Sequence, residues 1–221
     1  MTRRQFPAAP TEPKALVLTA HPYKDGFIRA LANAWSEGAS DLDIATVDVH
    51  DLDFDPRLRG AYREDQPLEQ DLVRLQQQMA SAAHWLVAFP LWWSSTPAAL
   101  KGAFDRVLLP GWAFRYENHR PVPGLVGRSA RVMVTMDAPV WYDRLFNGAA
   151  GRRQVVRGTL GFSGLKPVRT QVFGGIGWSS AAQRTRMLQQ AFESGRRDAM
   201  AVRRRLPIAP REPMPALARQ R

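Results

Sequence analysis

The sequence predicts an α/β protein: a doubly wound, five-stranded parallel sheet with helices on both faces. Five short apolar runs recur along the chain, and stretches of helical periodicity lie between them. The length of 221 residues, with 45% hydrophobic and 23% charged residues, suits one domain with a substantial core. Strand and helix alternate, and a right-handed crossover between neighbouring parallel strands must lay each helix over the sheet.

The strand runs are Ala15–Ala20, Asp43–Val49, His84–Pro90, Ala130–Met136 and Pro167–Phe173. Each is rich in β-branched or large apolar residues and is bounded by turn formers. The runs at Ala15 and His84 are apolar without alternation, as expected of strands buried on both faces. Helical spacing joins Phe27, Ile28, Leu31, Ala32 and Trp35 after Asp25-Gly26. A second stripe is Leu68, Leu72, Leu75 and Met79. A third runs from Ala98 to Leu108 behind Pro97. The last runs from Leu188 to Leu206, with Ser179 or Ser180 as its N-cap. A further helix is expected between the fourth and fifth strands, although no stripe marks it.

One domain is expected over 15–206. Residues 1–14 are expected to be a disordered leader. Residues 207–221 read as a Pro/Arg-rich disordered tail, since Pro207, Pro210, Pro213 and Pro215 cannot continue a helix. Thr2-Arg3-Arg4-Gln5-Phe6 has the look of a twin-arginine export signal, but prolines and charges follow where an apolar stretch is required. A cytoplasmic protein is expected. No run approaches the ~18–20 apolar residues of a membrane span.

Cys is absent, which excludes disulfides, thiolate metal sites and a cysteine nucleophile. The net charge is +11, and it is lopsided: residues 1–110 hold 11 basic and 14 acidic residues, residues 111–221 hold 20 and 6. Such asymmetry points to nucleic acid, an anionic membrane surface or a phosphate-bearing ligand, or else to Arg-rich composition. No nucleic-acid-binding signature is present and the Arg residues are spread over several elements, so no nucleic-acid partner is expected.

In an open parallel sheet, ligands sit beyond the carboxyl ends of the strands at the switch of strand order. Three segments fall there. His21-Pro-Tyr-Lys-Asp-Gly-Phe27 leads into a helix whose N-terminus could hold a phosphate. It lacks the glycine fingerprints of dinucleotide and P-loop sites, and an ordinary strand-to-helix loop is the alternative. Pro90-Leu-Trp-Trp-Ser94 places two adjacent indoles at the open edge of the sheet, suited to stacking on a flat ring or to packing in a core or interface. Thr135-Met-Asp137 and the following Pro139-Val-Trp-Tyr142 offer hydrogen-bonding groups to a polar ring edge, or simply a turn with an aromatic anchor.

Two motifs make a resemblance specific. Leu18-Thr-Ala-His21 and the long run Phe89-Pro-Leu-Trp-Trp-Ser-Ser-Thr-Pro-Ala-Ala-Leu-Lys-Gly-Ala-Phe-Asp-Arg-Val-Leu108, extended by Pro110-Gly-Trp-Ala-Phe114, resemble the flavodoxin-like NAD(P)H:quinone oxidoreductases. The likeness spans roughly residues 14–205 and implies a flavodoxin-like fold. It implies a bound flavin that takes a hydride from NAD(P)H and passes it, ping-pong, to a quinone. Azo or nitroaromatic acceptors are the alternative, as is an ancillary subunit docked on a transporter.

Residue by residue, the resemblance places His21, Gly26 and Phe27 near the flavin ribityl or phosphate. It places Pro90, Leu91, Trp92, Trp93 and Ser94 along the ring, with Thr135 and Asp137 in a second ring-contacting segment. Ile176-Gly177 and Arg184 fall beyond the fifth strand, on the flavin side. Tyr142 matches a tyrosine that handles protons; the histidine that accompanies it in some members has no counterpart. A Thr-Thr-Gly-Gly run of better-known members is replaced by Thr135-Met-Asp-Ala-Pro139, which alters how closely backbone approaches the ring. FAD is favoured over FMN. A homodimer is expected, with Trp112-Ala-Phe114 and Tyr116 at the interface or in the interior. No metal site is expected.

Overall fold

Alternate residues of each strand face opposite layers, and the apolar runs divide accordingly. In the computed structural model, which describes residues 5–206, the strands β1 (Lys14–Thr19), β2 (Asp43–Asp48), β3 (His84–Pro90), β6 (Ser129–Thr135) and β7 (Val168–Phe173) form one sheet. Its order is β2-β1-β3-β6-β7, and every pairing is parallel. All five strands lie within one residue of the expected bounds. Helices α1 (Phe27–Gly38) and α6 (Ala181–Arg205) cover one face, packing on Ala15, Val17, Leu86, Ala88 and Met133. Helices α2 (Gln70–Ser81) and α3 (Ala98–Val107) cover the other, on Leu16, Leu18, Trp85, Val87, Phe89, Val132 and Val134. Ser180 starts α6 in a capping box with Gln183.

Two regions depart from the sequence reading in their secondary structure. An antiparallel hairpin, β4 (Phe114–Glu117) and β5 (Arg120–Pro123), turns through Asn118 and His119, both with positive φ. Its strands are short and mostly exposed, so they carry no apolar alternation. Between β6 and β7 the expected single helix is broken into α4 (Val140–Leu145), α5 (Ala150–Arg153) and a π-helical stretch over Gln154–Gly161.

Residues 5–13, expected to belong to a disordered leader, lie against the domain. Arg128 is fully buried and its Nη2 donates to the Ala8 carbonyl at 2.7 Å, while the Arg115 guanidinium sits 4.4 Å from the Phe6 ring centroid. The twin-arginine pair Arg3-Arg4 and the Pro/Arg-rich tail from 207 onward lie outside the described residues. Trp112 and Ala113 are interior residues of the core; Tyr116 is exposed.

Beneath α6 lies a buried polar group. Asp198 accepts from Arg131 Nε at 2.5 Å and Nη2 at 2.9 Å, and from Trp35 Nε1 at 3.1 Å. His84 Nε2 lies 3.4 Å from Asp198, its Nδ1 is 2.8 Å from Ser129 Oγ, and its ring stacks on Trp35. Burial lowers the pKa of His84 below its ordinary value near 6.5, outweighing the pull of Asp198. The unfolded chain therefore binds more protons as pH falls through about 6.5, and stability falls with it. Urea unfolding of the wild-type protein should show a stability loss on going from pH ~7 to ~5 that a His84→Phe variant lacks. Equal slopes in the two proteins would remove His84 from the acid response.

Candidate functional site

The chain leaves β1 for β2 on one side and returns to β3 on the other, so the switch of strand order lies between β1 and β3. The loop after β1 is tied down on the β2 side. Thr19 Oγ1 donates to Asp48 Oδ2 at 2.6 Å, and Arg29 of α1 pairs with the same carboxylate. His21 folds back over its own loop: the Tyr23 amide donates to His21 Nδ1 at 3.0 Å. Gly26 lets this happen, because a Cβ there would stand 2.7 Å from His21 Nδ1. Gly26 caps α1 without a side-chain hydrogen bond, and the first turn carries no acidic residue. Arg29 N donates to Gly26 O at 2.9 Å, which leaves the Phe27 and Ile28 amides for a ligand at the positive end of the helix dipole.

The loop after β3 is the most constrained part of the edge. Trp92 and Ser95 exchange backbone hydrogen bonds, 3.1 Å for Trp92 N to Ser95 O and 2.8 Å in return. The two central residues, Trp93 and Ser94, have φ of 49° and 56°. That is the left-handed pair of a type I′ turn, where glycine and asparagine are usual and a tryptophan is strained. The turn holds Trp93 entirely in solvent, 101% exposed, and leaves Trp92 42% exposed. Neither indole is a core residue. Leu91 N donates to Thr135 O at 2.7 Å, which joins this loop to the end of β6. Pro90 is buried as the last residue of β3.

The loop after β6 is braced by the loop after β7. Asp137 Oδ1 accepts from Gly177 N at 2.8 Å, in a 3₁₀ turn over Ile176–Trp178, and Ile176 N donates to Met136 O at 3.2 Å. Thr135 is buried. Arg184, in the first turn of α6, donates to Ser179 Oγ at 3.0 Å and Ile176 O at 3.1 Å. Its guanidinium lies 5.3 Å from the Phe27 ring centroid. His21 in turn is 6.0 Å from the Trp92 ring. The structure thus gathers His21, Gly26, Phe27, Trp92, Trp93, Ser94 and Arg184 around the strand ends.

Tyr142 stands differently. Its ring partners are Phe146, stacked at 4.9 Å, and Trp141 at 6.0 Å, on the exposed face of α4. Phe146 lies four residues from Tyr142, a helical spacing that is the one local sign of this pairing. With Trp178 and Leu145, these side chains give the loops after β6 and β7 an exposed apolar surface. A cleft of about 300 Å³ lies between Pro139-Val140, Gly174-Gly175 and Trp178. A larger one, about 1030 Å³, lies beside the hairpin and is lined by none of the strand-end segments. Among the described residues, no cluster of His, Asp or Glu could hold a metal ion, and no helix is long and apolar enough to cross a membrane.

A family model described as "Flavodoxin-like fold" matches residues 13–196. A Haemophilus influenzae protein named "Uncharacterized NAD(P)H oxidoreductase" is 27% identical over 191 residues, covering 80% of this chain and 92% of its own. The solved NAD(P)H:quinone oxidoreductase of Methanothermobacter marburgensis is 28% identical, covers 84% of this chain and 96% of its own, and superposes with a TM-score of 0.69. An FMN-dependent NADH-azoreductase of Bacillus anthracis, solved with FMN, has a TM-score of 0.68 at 18% identity, over 86% of this chain and 98% of its own. At that identity the likeness is one of fold.

Proposed function

The chain belongs to the flavodoxin-like fold family, and from that premise we propose that it is a flavin-dependent NAD(P)H oxidoreductase delivering two electrons to quinones. The observation that carries the reading is the Trp92–Ser95 turn. Backbone strain is retained at functional sites, and here it presents an indole and the loop's outer face at the switch point of the sheet. The residues fit a flavin mononucleotide moiety. The uncapped amides of α1, with His21 and Arg184 beside them, suit a phosphate. Trp92, Trp93 and Ser94 suit one flank of a flat ring, and Thr135–Asp137, braced by Gly177, suits another.

Bound flavin supplies the hydride chemistry. The protein's part is to hold it and to shape what reaches it. Arg184 and the helix dipole offset phosphate charge. Asp137, with one oxygen committed to Gly177 N, keeps the second loop in register and has its other oxygen for a ring N–H. Tyr142 is 43% exposed on α4, and in this reading its hydroxyl would give a proton to the acceptor. The fully exposed Trp93 indole would also stack on extended aromatic acceptors, which makes azo or nitroaromatic compounds the second reading. A homodimer belongs to the same proposal: Trp93, Trp141, Phe146 and Trp178 are apolar, exposed and close to the strand ends, and a second copy would cover them. We place the reaction in the cytoplasm.

Protein reconstituted separately with FMN and FAD should show the visible flavin bands and consume NAD(P)H when a quinone is added, with FAD retained over FMN in competition. Absence of bound flavin from both reconstitutions would sink the proposal. A panel of quinone, azo and nitroaromatic acceptors at one NADPH concentration ranks the two readings.

A further inference from the structure

Asp143 is 1% exposed, yet neither of its carboxylate oxygens accepts a hydrogen bond from a described residue. A carboxylate buried this way needs a compensating charge. Arg152 faces it, with Nη2 at 3.8 Å from Oδ2, and Arg152 Nε is likewise buried without a hydrogen-bond partner among the described residues. The pair spans α4 and α5. The Asp143 carbonyl strengthens the span, accepting from Asn147 N at 3.2 Å and Ala149 N at 2.9 Å. Ala149 then enters α5 with a left-handed φ of 53°.

Beside Arg152 on α5 is Gly151, which touches the strained turn. A Cβ at Gly151 would stand 2.5 Å from Ser94 O and 2.8 Å from Ser95 Cα. Helix α5 is thus the floor beneath Ser94 and Ser95, and the ion pair fixes the floor to α4. We propose that Asp143 is a positioning residue: through Arg152 it presses α5 against Ser94 and Ser95 and so keeps the Trp92–Ser95 turn in its left-handed conformation. The consequence for a flavin ring rests on the function proposed above; the mechanical chain from Asp143 to the turn does not require a cofactor.

Hydrogen exchange in flavin-free protein tests the chain directly. In Asp143→Asn, the amides of Trp92 and Ser95, which close the turn, should exchange about tenfold faster or more, while Val87 in the middle of β3 keeps its protection. Arg152→Gln should do the same, Arg152→Lys should restore part of the protection, and Arg144→Gln, on the exposed side of α4, should change nothing. In reconstituted protein, Asp143→Asn should also shift the flavin midpoint potential. Unchanged exchange at Trp92 and Ser95 in either folded variant, Asp143→Asn or Arg152→Gln, overturns the proposal; Arg152→Gln decides if Asp143→Asn does not fold. Faster turn exchange in a protein that binds no flavin leaves the positioning role standing and overturns only the function.

Discussion

Asp198→Ala should destabilise the protein by about 3–5 kcal/mol, the usual cost of removing one partner from a buried ion pair. Three side chains depend on this carboxylate. Arg131 engages it through two nitrogens, Trp35 Nε1 donates to it, and His84 faces it with both residues nearly inaccessible. Alanine would leave a guanidinium inside the sheet face covered by α6, with no anion to neutralise it. The surface ion pairs of the same helix, such as Arg196 with Glu193, are solvent-screened and should each cost well under 1 kcal/mol. Urea unfolding at pH 7 measures the difference, and a loss below about 1 kcal/mol would mean that the network contributes nothing net.

The acid response separates this role further. Burial pushes the Asp198 carboxyl up, but the hydrogen bonds it accepts and the positive charge of Arg131 more than offset it and hold the group well below the ordinary carboxylate range. Its contribution is therefore present above the unfolded value near 4 and is lost as pH falls below it. The variant should lack that part of the acid limb, below the window assigned to His84.

Gly195→Ala should destabilise as well, by about 2–3 kcal/mol, against the direction that helix propensity gives. Propensity alone would make alanine better than glycine by ~1 kcal/mol in the middle of α6. Packing decides otherwise. A Cβ at Gly195 would stand 2.0 Å from Trp35 O, and one at Gly38 would stand 2.0 Å from Phe192 O. Both obstacles are backbone atoms, which cannot rotate aside, so α1 and α6 must separate and Trp35 must lose its seat under Asp198. A fall in Tm for Gly195→Ala is the expected result; a rise would mean that the two helices part at little cost. Because α1 begins at Gly26 and Phe27, the same change should weaken flavin retention in the reconstitution assay.

The excess of Arg shows how differently one composition can be used. Charge counting reads it as a cofactor attraction or as bias. In the fold, Arg106, Arg128 and Arg131 are buried. Arg106 holds the segment before α2 through Glu69 and the Pro67 carbonyl, and Arg128 anchors residue 8 of the leader. Nothing local marks these three apart from the exposed Arg residues of α6, since each has a partner far off in the chain: Glu69 for Arg106, Ala8 for Arg128 and Asp198 for Arg131.

Five strands, four of the helices, the capped start of α6 and the three loops at the open edge are legible in the sequence. Those features depend on periods of two and 3.6 residues and on turn-forming residues, all of which act over a few positions. The assembled fold is what sets Trp92 and Trp93 out of the core on a left-handed turn, brings Trp112 into it and makes Asp137 a brace for Gly177. It also decided the hairpin, the packed leader and the link from Asp143 to Arg152. The farthest-reaching of these join distant segments, such as Arg128 with Ala8, 120 residues apart, and Asp137 with Gly177, 40 residues apart. The energy of such a contact comes from burial and charge pairing that exist only once the sheet has brought the segments together.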